Sequence, residues 1–165
     1  MSEFSIRQAI AENANLITNF IKHMVVEMEN YGGYKVNKSA DIWNSMESDV
    51  SRNCKRKDYL YLLAIHPTQT SQVYGVAVGN IEHLENLFVD KKRLHISAIY
   101  TVPEMRHQGI ARKLLNYLIN WGHKMNASEA DLHVLTTNPA MHLYEQLGFE
   151  PQEISMIKKL ESKGQ

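Results

Sequence analysis

The sequence predicts an α/β (α+β) fold in which helices cover a mixed β-sheet. Residues 59–102 contain three apolar, β-rich segments in succession. On either side of them, residues 13–28 and 110–125 carry apolar side chains at helical spacing. Strand and helix patterns then alternate toward the end of the chain, and such mixing packs helices against a sheet.

Length and composition favour one globular domain over residues 1–165. The chain has 165 residues, of which 44% are hydrophobic and 22% charged. Such a composition suits a single hydrophobic core. Its 18 basic residues balance 18 acidic ones, which argues against a protein that binds nucleic acid through a basic surface.

Cysteine content and hydropathy limit the cellular setting. Cys54 is the single cysteine, so an intramolecular disulfide and a cysteine metal cluster are excluded. The sequence has no apolar run of about 18 residues and no basic-then-apolar leader. We therefore expect a cytoplasmic protein with no membrane partner.

The first third of the chain is predicted to contain one strand and two helices. Residues 4–8 alternate apolar and polar side chains, as a short strand does. From residue 13 the apolar positions recur at helical spacing: Ile17, Ile21, Met24, Val25 and Met28. A second, weaker helix over residues 40–54 is indicated by Ile42, Met46 and Val50.

The middle of the chain is predicted to be sheet. Residues 59–66 form a nearly continuous apolar run, and residues 73–82 form a valine-rich one. Residues 90–93 are charged and predict a polar turn. The third strand, over residues 94–102, is followed by Pro103.

The last third is predicted to contain two helices and two strands. The strongest helix, over residues 110–125, has an apolar stripe of Ile110, Leu114, Leu118, Trp121 and Met125. A strand over 131–136, a short helix over 140–146 and a strand over 149–157 follow. The predicted order is β-α-α-β-β-β-α-β-α-β.

A short turn separates the third central strand from the strongest helix. Its sequence is Arg106-His107-Gln108-Gly109-Ile110-Ala111. Backbone N–H groups at a helix start lack partners and carry partial positive charge, which suits a phosphate or pyrophosphate. The alternative is a simple strand-to-helix turn that needs one glycine. The turn lacks the Lys-Ser/Thr of a P-loop and the three glycines of a dinucleotide site.

Two segments resemble motifs of the GNAT family of acetyl-CoA-dependent N-acetyltransferases. The first, similar to motif A, is TVPEMRHQGIARKLL over residues 101–115. The second, similar to motif B, is NPAMHLYEQLGF over residues 138–149. The resemblance covers nearly the whole chain. It implies a mostly antiparallel sheet of six to seven strands flanked by about four helices, with acetyl-CoA as co-substrate and no metal.

The resemblance also implies where acetyl-CoA would bind. The turn would hold the pyrophosphate through its backbone, and the preceding strand end would pair with the pantetheine arm. A bulge in that strand would open a gap toward the strand at 131–136, and Ala111 replaces the motif's second glycine. The implied binding residues are Ile99, Tyr100, Thr101, His107, Gln108, Gly109, Ile110, Ala111, Arg112 and Asn138.

Two residues are candidates for the chemistry. Tyr144 matches the family's tyrosine that donates to the CoA sulfur, and a phenol is protonated at neutral pH. The alternative is an aromatic core residue. Many family members carry a glutamate on the strand before motif A, but Ser97-Ala98-Ile99-Tyr100 contains no carboxylate. Other members carry a glutamate five residues before the motif B asparagine, and His133 occupies that position here, so the resemblance implies His133 as the candidate base. A structural histidine or a water chain are the alternatives there. Asn138 lies six residues before Tyr144, whereas a spacing of seven residues is common in the family.

The sequence therefore predicts an acetyl-CoA-dependent N-acetyltransferase that acts on an amine of a small molecule, peptide or protein. Direct attack in a ternary complex is the expected mechanism, and homodimers are frequent in the family. The alternative is a non-catalytic acyl-CoA-binding regulatory module. Groups available to recognise a cationic acceptor are Glu27, Glu29, Tyr31, Tyr34, Glu82 and Glu85.

Overall fold

The computed structural model describes residues 3–84 and 91–160. In these residues the strands are β1 (Ser5–Gln8), β2 (Tyr59–Ile65), β3 (Val73–Leu84), β4 (Lys91–Thr101) and β5 (Glu129–Leu132). The α-helices are α1 (Ala14–Met28), α2 (Ala40–Asn53), α3 (Ile110–Lys124) and α4 (Met141–Gln146). Short 3₁₀ turns lie at Ala11–Asn13, Glu29–Tyr31 and Pro103–Met105.

The described strands form one sheet in the order β1-β2-β3-β4-β5. Neighbouring strands from β1 to β4 are antiparallel, and β5 runs parallel to β4. The parallel pair is possible because α3 connects the end of β4 back to the start of β5. The mixed sheet and the four helices confirm the predicted fold class.

A bulge interrupts the pairing of β4. Ala98 lies opposite Val78, whereas Ile96 lies opposite Gly79, so Ser97 is an extra residue on β4. The parallel pairing with β5 covers Arg93 to Ile96 and ends before this bulge. The stretch 97–101 of β4 consequently has β3 on one side and no β5 pairing on the other. We call the gap beside residues 97–101, where β4 has no β5 pairing, the β4–β5 opening.

The hydrophobic core has one layer on each face of the sheet. The layer between α3 and the sheet contains Leu62, Leu94, Ile96, Ile110, Leu114, Leu115 and Leu118. The layer between the sheet and helices α1 and α2 contains Ile17, Phe20, Val50, Leu63, Val76, Val78 and Ala98. Ile96 and Ala98 would face the same side of a regular strand, but the bulge sends them to opposite layers.

Two strand predictions were wrong. The described sheet has five strands, fewer than the predicted six to seven, because residues 149–157 form neither strand nor helix. Ile154, Met156 and Ile157 of that segment are exposed, Ile154 by 89%. Strand propensity alone does not create a strand, since a strand also needs a paired neighbour. The last strand lies at Glu129–Leu132 and not at 131–136, where the chain leaves β4.

The predicted polar turn at 90–93 was also wrong over its described part. Lys91, Lys92 and Arg93 belong to β4 and pair with the end of β3. Their charges are accommodated because Arg93 faces Glu82 across the strand pair and Lys91 reaches Glu129. Asp90 lies outside the described residues.

The remaining element boundaries agree closely with the predictions. Helices α2, α3 and α4 each begin or end within about one residue of the predicted ranges. None of the helices in the described ranges combines the length and apolar character that crossing a bilayer requires.

Leu118→Ala is expected to lower the free energy of unfolding by about 2–5 kcal/mol, because it empties a fully buried site under α3. Urea denaturation measures this loss. The control is Tyr117→Ala on the same helix, where the side chain is 48% exposed and the loss should stay under about 1 kcal/mol. Equal losses in the two variants would contradict the core assignment.

Candidate functional site

The turn between β4 and α3 lies beside the β4–β5 opening and has an unusual backbone. His107 and Gly109 have φ values of +62° and +83°. Gly109 is the residue that precedes the first turn of α3. Glycine suits this left-handed conformation, and a Cβ built there would meet nothing within 4 Å. The turn therefore presents bare backbone to open space.

The start of α3 presents unpaired N–H groups beside this turn. The first bond of the helix runs from the Lys113 N–H to the Gly109 carbonyl at 3.0 Å. The N–H groups of Ile110, Ala111 and Arg112 therefore have no acceptor within the helix. Together with the helix dipole they favour an anion at this end.

Side chains at the start of α3 make contacts within the protein. Ile110 is buried in the layer beneath α3, so its backbone and not its side chain faces the turn. Arg112 is exposed and donates to the Gln146 side chain at the end of α4. Gln108 donates to the Met105 sulfur at 3.7 Å, and His107 is exposed.

The end of β4 carries the other predicted binding residues. Ile99 packs toward the layer beneath α3, while Tyr100 contacts Phe20 of α1 with ring centroids 6.0 Å apart. Thr101 is 9% exposed, and its hydroxyl has no hydrogen-bond partner among the described residues. An extended ligand with amide groups fits here, because it can pair with the strand edge left open.

Tyr144 lies on α4 at the edge of the α3 layer. It is 8% exposed, and its ring centroid is 6.1 Å from that of Phe149. Burial raises the pKa of Tyr144 above its usual value of 10.0. The phenol therefore stays protonated across the physiological range and can act as a proton donor.

Asn138 is used locally in the turn that leads into α4. Its side-chain oxygen accepts the Ala140 N–H at 2.9 Å, and its carbonyl accepts the Met141 N–H at 3.1 Å. The amide oxygen thus stabilises the entry to α4. The side-chain NH₂ group has no hydrogen-bond acceptor among the described residues.

His133 belongs to a polar cluster on the α1 side of the sheet. It follows β5 directly, is exposed, and has its ring centroid 5.6 Å from that of His95. His95 Nδ1 lies 2.9 Å from an oxygen of Asp131, whose second oxygen is 3.3 Å from Arg93. Arg93 in turn contacts Glu82 at 3.1 Å. The cluster fixes the His95 ring beside His133.

His95 is not among the predicted site residues, because the candidate base positions on this strand were residues 97–100. His95 and Asp131 lie near the starts of the strands predicted at 94–102 and 131–136, and the structure pairs them in register.

A second ion pair joins the turn to α1. Arg106 donates to both oxygens of Glu27, at 2.9 and 2.6 Å, and its Nε donates to the Thr101 carbonyl at 3.1 Å. The Arg106 guanidinium holds the pKa of the Glu27 carboxyl below its usual value of 4.5. Tyr31 also donates to Glu27, at 3.3 Å.

These contacts change the expectation for acceptor recognition. Glu27 and Glu82 already have internal arginine partners, Arg106 and Arg93. Glu29 accepts the Val36 N–H at 2.7 Å, and Glu85 lies outside the described residues. In the ranges 3–84 and 91–160, no three His, Cys, Asp or Glu side chains come together in a way that could hold a metal ion.

Comparison with curated proteins gives short matches. The chain is 37% identical over 59 residues to the human cysteine-rich protein 2-binding protein, and 40% identical over 57 residues to the catalytic subunit of the N-terminal acetyltransferase B complex of Arabidopsis thaliana. These matches span 36% and 33% of this chain. They cover 7% and 33% of the two relatives' lengths.

Solved structures share the fold over nearly the whole chain. A Clostridium acetobutylicum predicted acetyltransferase with acetyl-CoA has a TM-score of 0.76 at 17% identity, covering 95% of this chain and 96% of its own. An aminoglycoside N-acetyltransferase in complex with CoA has a TM-score of 0.72 at 17% identity, covering 98% and 97%. A Bacillus halodurans protein has a TM-score of 0.78 at 17% identity, covering 94% and 99%.

The family model of the acetyltransferase (GNAT) family matches residues 32–149. This range includes the turn, the start of α3 and Tyr144. The chain therefore belongs to the GNAT family of acetyltransferases.

Proposed function

We propose that the protein is an N-acetyltransferase that moves the acetyl group of acetyl-CoA to an amine of a small molecule, peptide or protein. The observation that carries this proposal is the β4–β5 opening next to the unpaired N–H groups of α3. An extended arm and a pyrophosphate need these two features side by side. Similar structures that contain acetyl-CoA or CoA support the co-substrate.

The proposed binding of acetyl-CoA uses backbone more than side chains. The N–H groups over His107, Gln108, Gly109, Ile110, Ala111 and Arg112 would hold the pyrophosphate. The strand edge at Ile99, Tyr100 and Thr101 would pair with the pantetheine amides, and the Asn138 NH₂ would contact the arm from the other side of the opening.

Acetyl transfer requires a proton donor and a proton acceptor. The amine nitrogen attacks the thioester carbonyl in a ternary complex, a C–N bond forms, and the C–S bond breaks. Tyr144 would donate its proton to the departing thiolate, since its raised pKa keeps the phenol protonated until that step. The attacking amine loses one proton, for which a base is needed.

We assign the base to His133. Leu132 lies opposite Ile96, so His133, which follows β5, is the first residue past the pairing and flanks the β4–β5 opening. His95, held by Asp131, positions the His133 ring. Histidine suits this role because free imidazole changes charge near neutral pH.

The function is tested by thiol release from acetyl-CoA with a panel of polyamines, amino acids, aminoglycosides and amino-terminal peptides. Release that depends on an acceptor amine is expected, and the responding amine identifies the acceptor class. Tight acetyl-CoA binding without release on any acceptor would contradict catalysis and favour a regulatory acyl-CoA-binding module.

Gly109→Ala is expected to weaken acetyl-CoA binding at least about tenfold, because a Cβ at this turn would occupy the space where the pyrophosphate approaches the backbone. Calorimetry measures the affinity. Gly148→Ala is the matched control, since Gly148 has φ of +85° and equally open surroundings. Both variants carry the same backbone strain, so equal affinities would remove the turn from the binding site.

Tyr144→Phe is expected to lower kcat by about 100-fold and to leave the affinity for acetyl-CoA nearly unchanged, because the ring stays and the proton donor is lost. Tyr74→Phe serves as the control, since Tyr74 is a buried tyrosine of the same core layer. An unchanged kcat in Tyr144→Phe would exclude the donor role.

His133→Ala is expected to lower kcat and to remove the fall in kcat/KM at acidic pH that a histidine base produces. His95→Ala should lower kcat several-fold and keep this pH dependence, because His95 positions the base and does not receive the proton. His123→Ala, an exposed histidine on α3, should change neither. Loss of the pH dependence in His95→Ala alone would transfer the base role to His95.

A further inference from the structure

We propose that Glu27 is a positioning residue for the acetyl-CoA turn and that it acts through Arg106, which braces the turn and does not bind the pyrophosphate. This inference rests on the proposed function, because it assigns a role within the same site. It concerns α1, an element that contributes no residue to the predicted binding motif.

The guanidinium of Arg106 uses three of its five N–H donors in hydrogen bonds within the protein. Its two terminal nitrogens bind the two oxygens of Glu27 at 2.9 and 2.6 Å. Its Nε binds the Thr101 carbonyl at 3.1 Å, and its Cζ lies 5.5 Å from the centre of the Tyr100 ring. Such a paired geometry is directional and strong. A pyrophosphate that took the place of the Glu27 carboxylate would have to break this arrangement.

The pairing with Glu27 also neutralises the positive charge of Arg106, which would otherwise attract a phosphate. Glu27 and Arg106 are both partly buried, so water screens their attraction incompletely. The pull on an anion is then left to the N–H groups of α3. Arg106 instead fixes the conformation of the turn. It is the first residue of the turn, and its side chain binds the carbonyl of Thr101, the last residue of β4.

Through Tyr31, the Glu27 carboxylate is also linked to the segment that follows β5. Tyr31 donates its hydroxyl to Glu27 at 3.3 Å, and the Tyr31 carbonyl accepts the Thr137 hydroxyl at 2.6 Å. Thr137 lies between β5 and α4, next to Asn138. Hydrogen bonds through Arg106, Glu27 and Tyr31 therefore link Thr101 to Thr137, with Glu27 in the middle of this series.

Glu27→Gln separates the two roles of Arg106 by the sign of the effect. If Arg106 braces the turn, loss of the charged pair loosens the turn, and the dissociation constant and KM for acetyl-CoA should rise about tenfold with kcat nearly unchanged. If Arg106 is a phosphate ligand that Glu27 holds back, the same change would free it and tighten binding. Calorimetry with CoA and steady-state kinetics with acetyl-CoA measure both quantities.

A truncated substrate distinguishes a specific loss of pyrophosphate binding from general misfolding of the variant. S-acetylpantetheine has the thioester arm but no pyrophosphate, so its kcat/KM should be the same in Glu27→Gln and in the natural protein. Glu47→Gln is the matched control, because Glu47 is a partly buried carboxylate that accepts a hydrogen bond from Asn15, at the opposite end of α1 from Glu27. It should change neither substrate's kinetics.

Three results would overturn the inference: unchanged CoA affinity in Glu27→Gln, tighter CoA binding, or an equal loss with S-acetylpantetheine. Arg106→Lys adds a check, since lysine keeps the charge but cannot form the paired bonds, and it should weaken CoA binding as Glu27→Gln does. A natural protein that fails to bind CoA would overturn the proposed function as well. Normal binding that Glu27→Gln leaves unchanged overturns this inference alone.

Discussion

The extra residue at Ser97 is the constraint on which the candidate site depends. Up to Ile96, β4 has hydrogen-bonded neighbours on both sides. Beyond Ser97 the strand alternation shifts, Ala98 turns into the opposite core layer, and the pairing with β5 has ended. An unpaired strand edge normally invites another chain or a ligand. Here the edge runs directly into the turn and the start of α3, so one continuous backbone surface is available.

The periodic elements could be predicted from the sequence because each carries its own pattern. The stripe on α3 has five apolar positions at helical spacing, and β2 is an unbroken apolar run. The turn at 106–109 was equally readable, since Gly109 stands between a strand and a helix pattern. These features depend on residues close together in the chain, so their patterns can be recognised in a single sequence.

Features that depend on distant partners could not be predicted in the same way. Segment 149–157 has a strand-like sequence, but among the described residues no strand pairs with it. Charged residues 91–93 looked like a turn, yet Glu82 and Asp131 make them acceptable in β4. In the site, the roles of Arg106 and His95 are set by Glu27 and Asp131. Glu27 lies 79 residues from Arg106, and Asp131 lies 36 residues from His95.

Amide hydrogen exchange with and without acetyl-CoA tests the central claim most directly. The N–H groups of Ile110, Ala111 and Arg112 have no acceptor within the helix and should exchange quickly in the free protein. Saturating acetyl-CoA should slow their exchange and that of residues 99–101 together. Protection confined to another surface, or no change at saturation, would contradict the placement of acetyl-CoA in the β4–β5 opening.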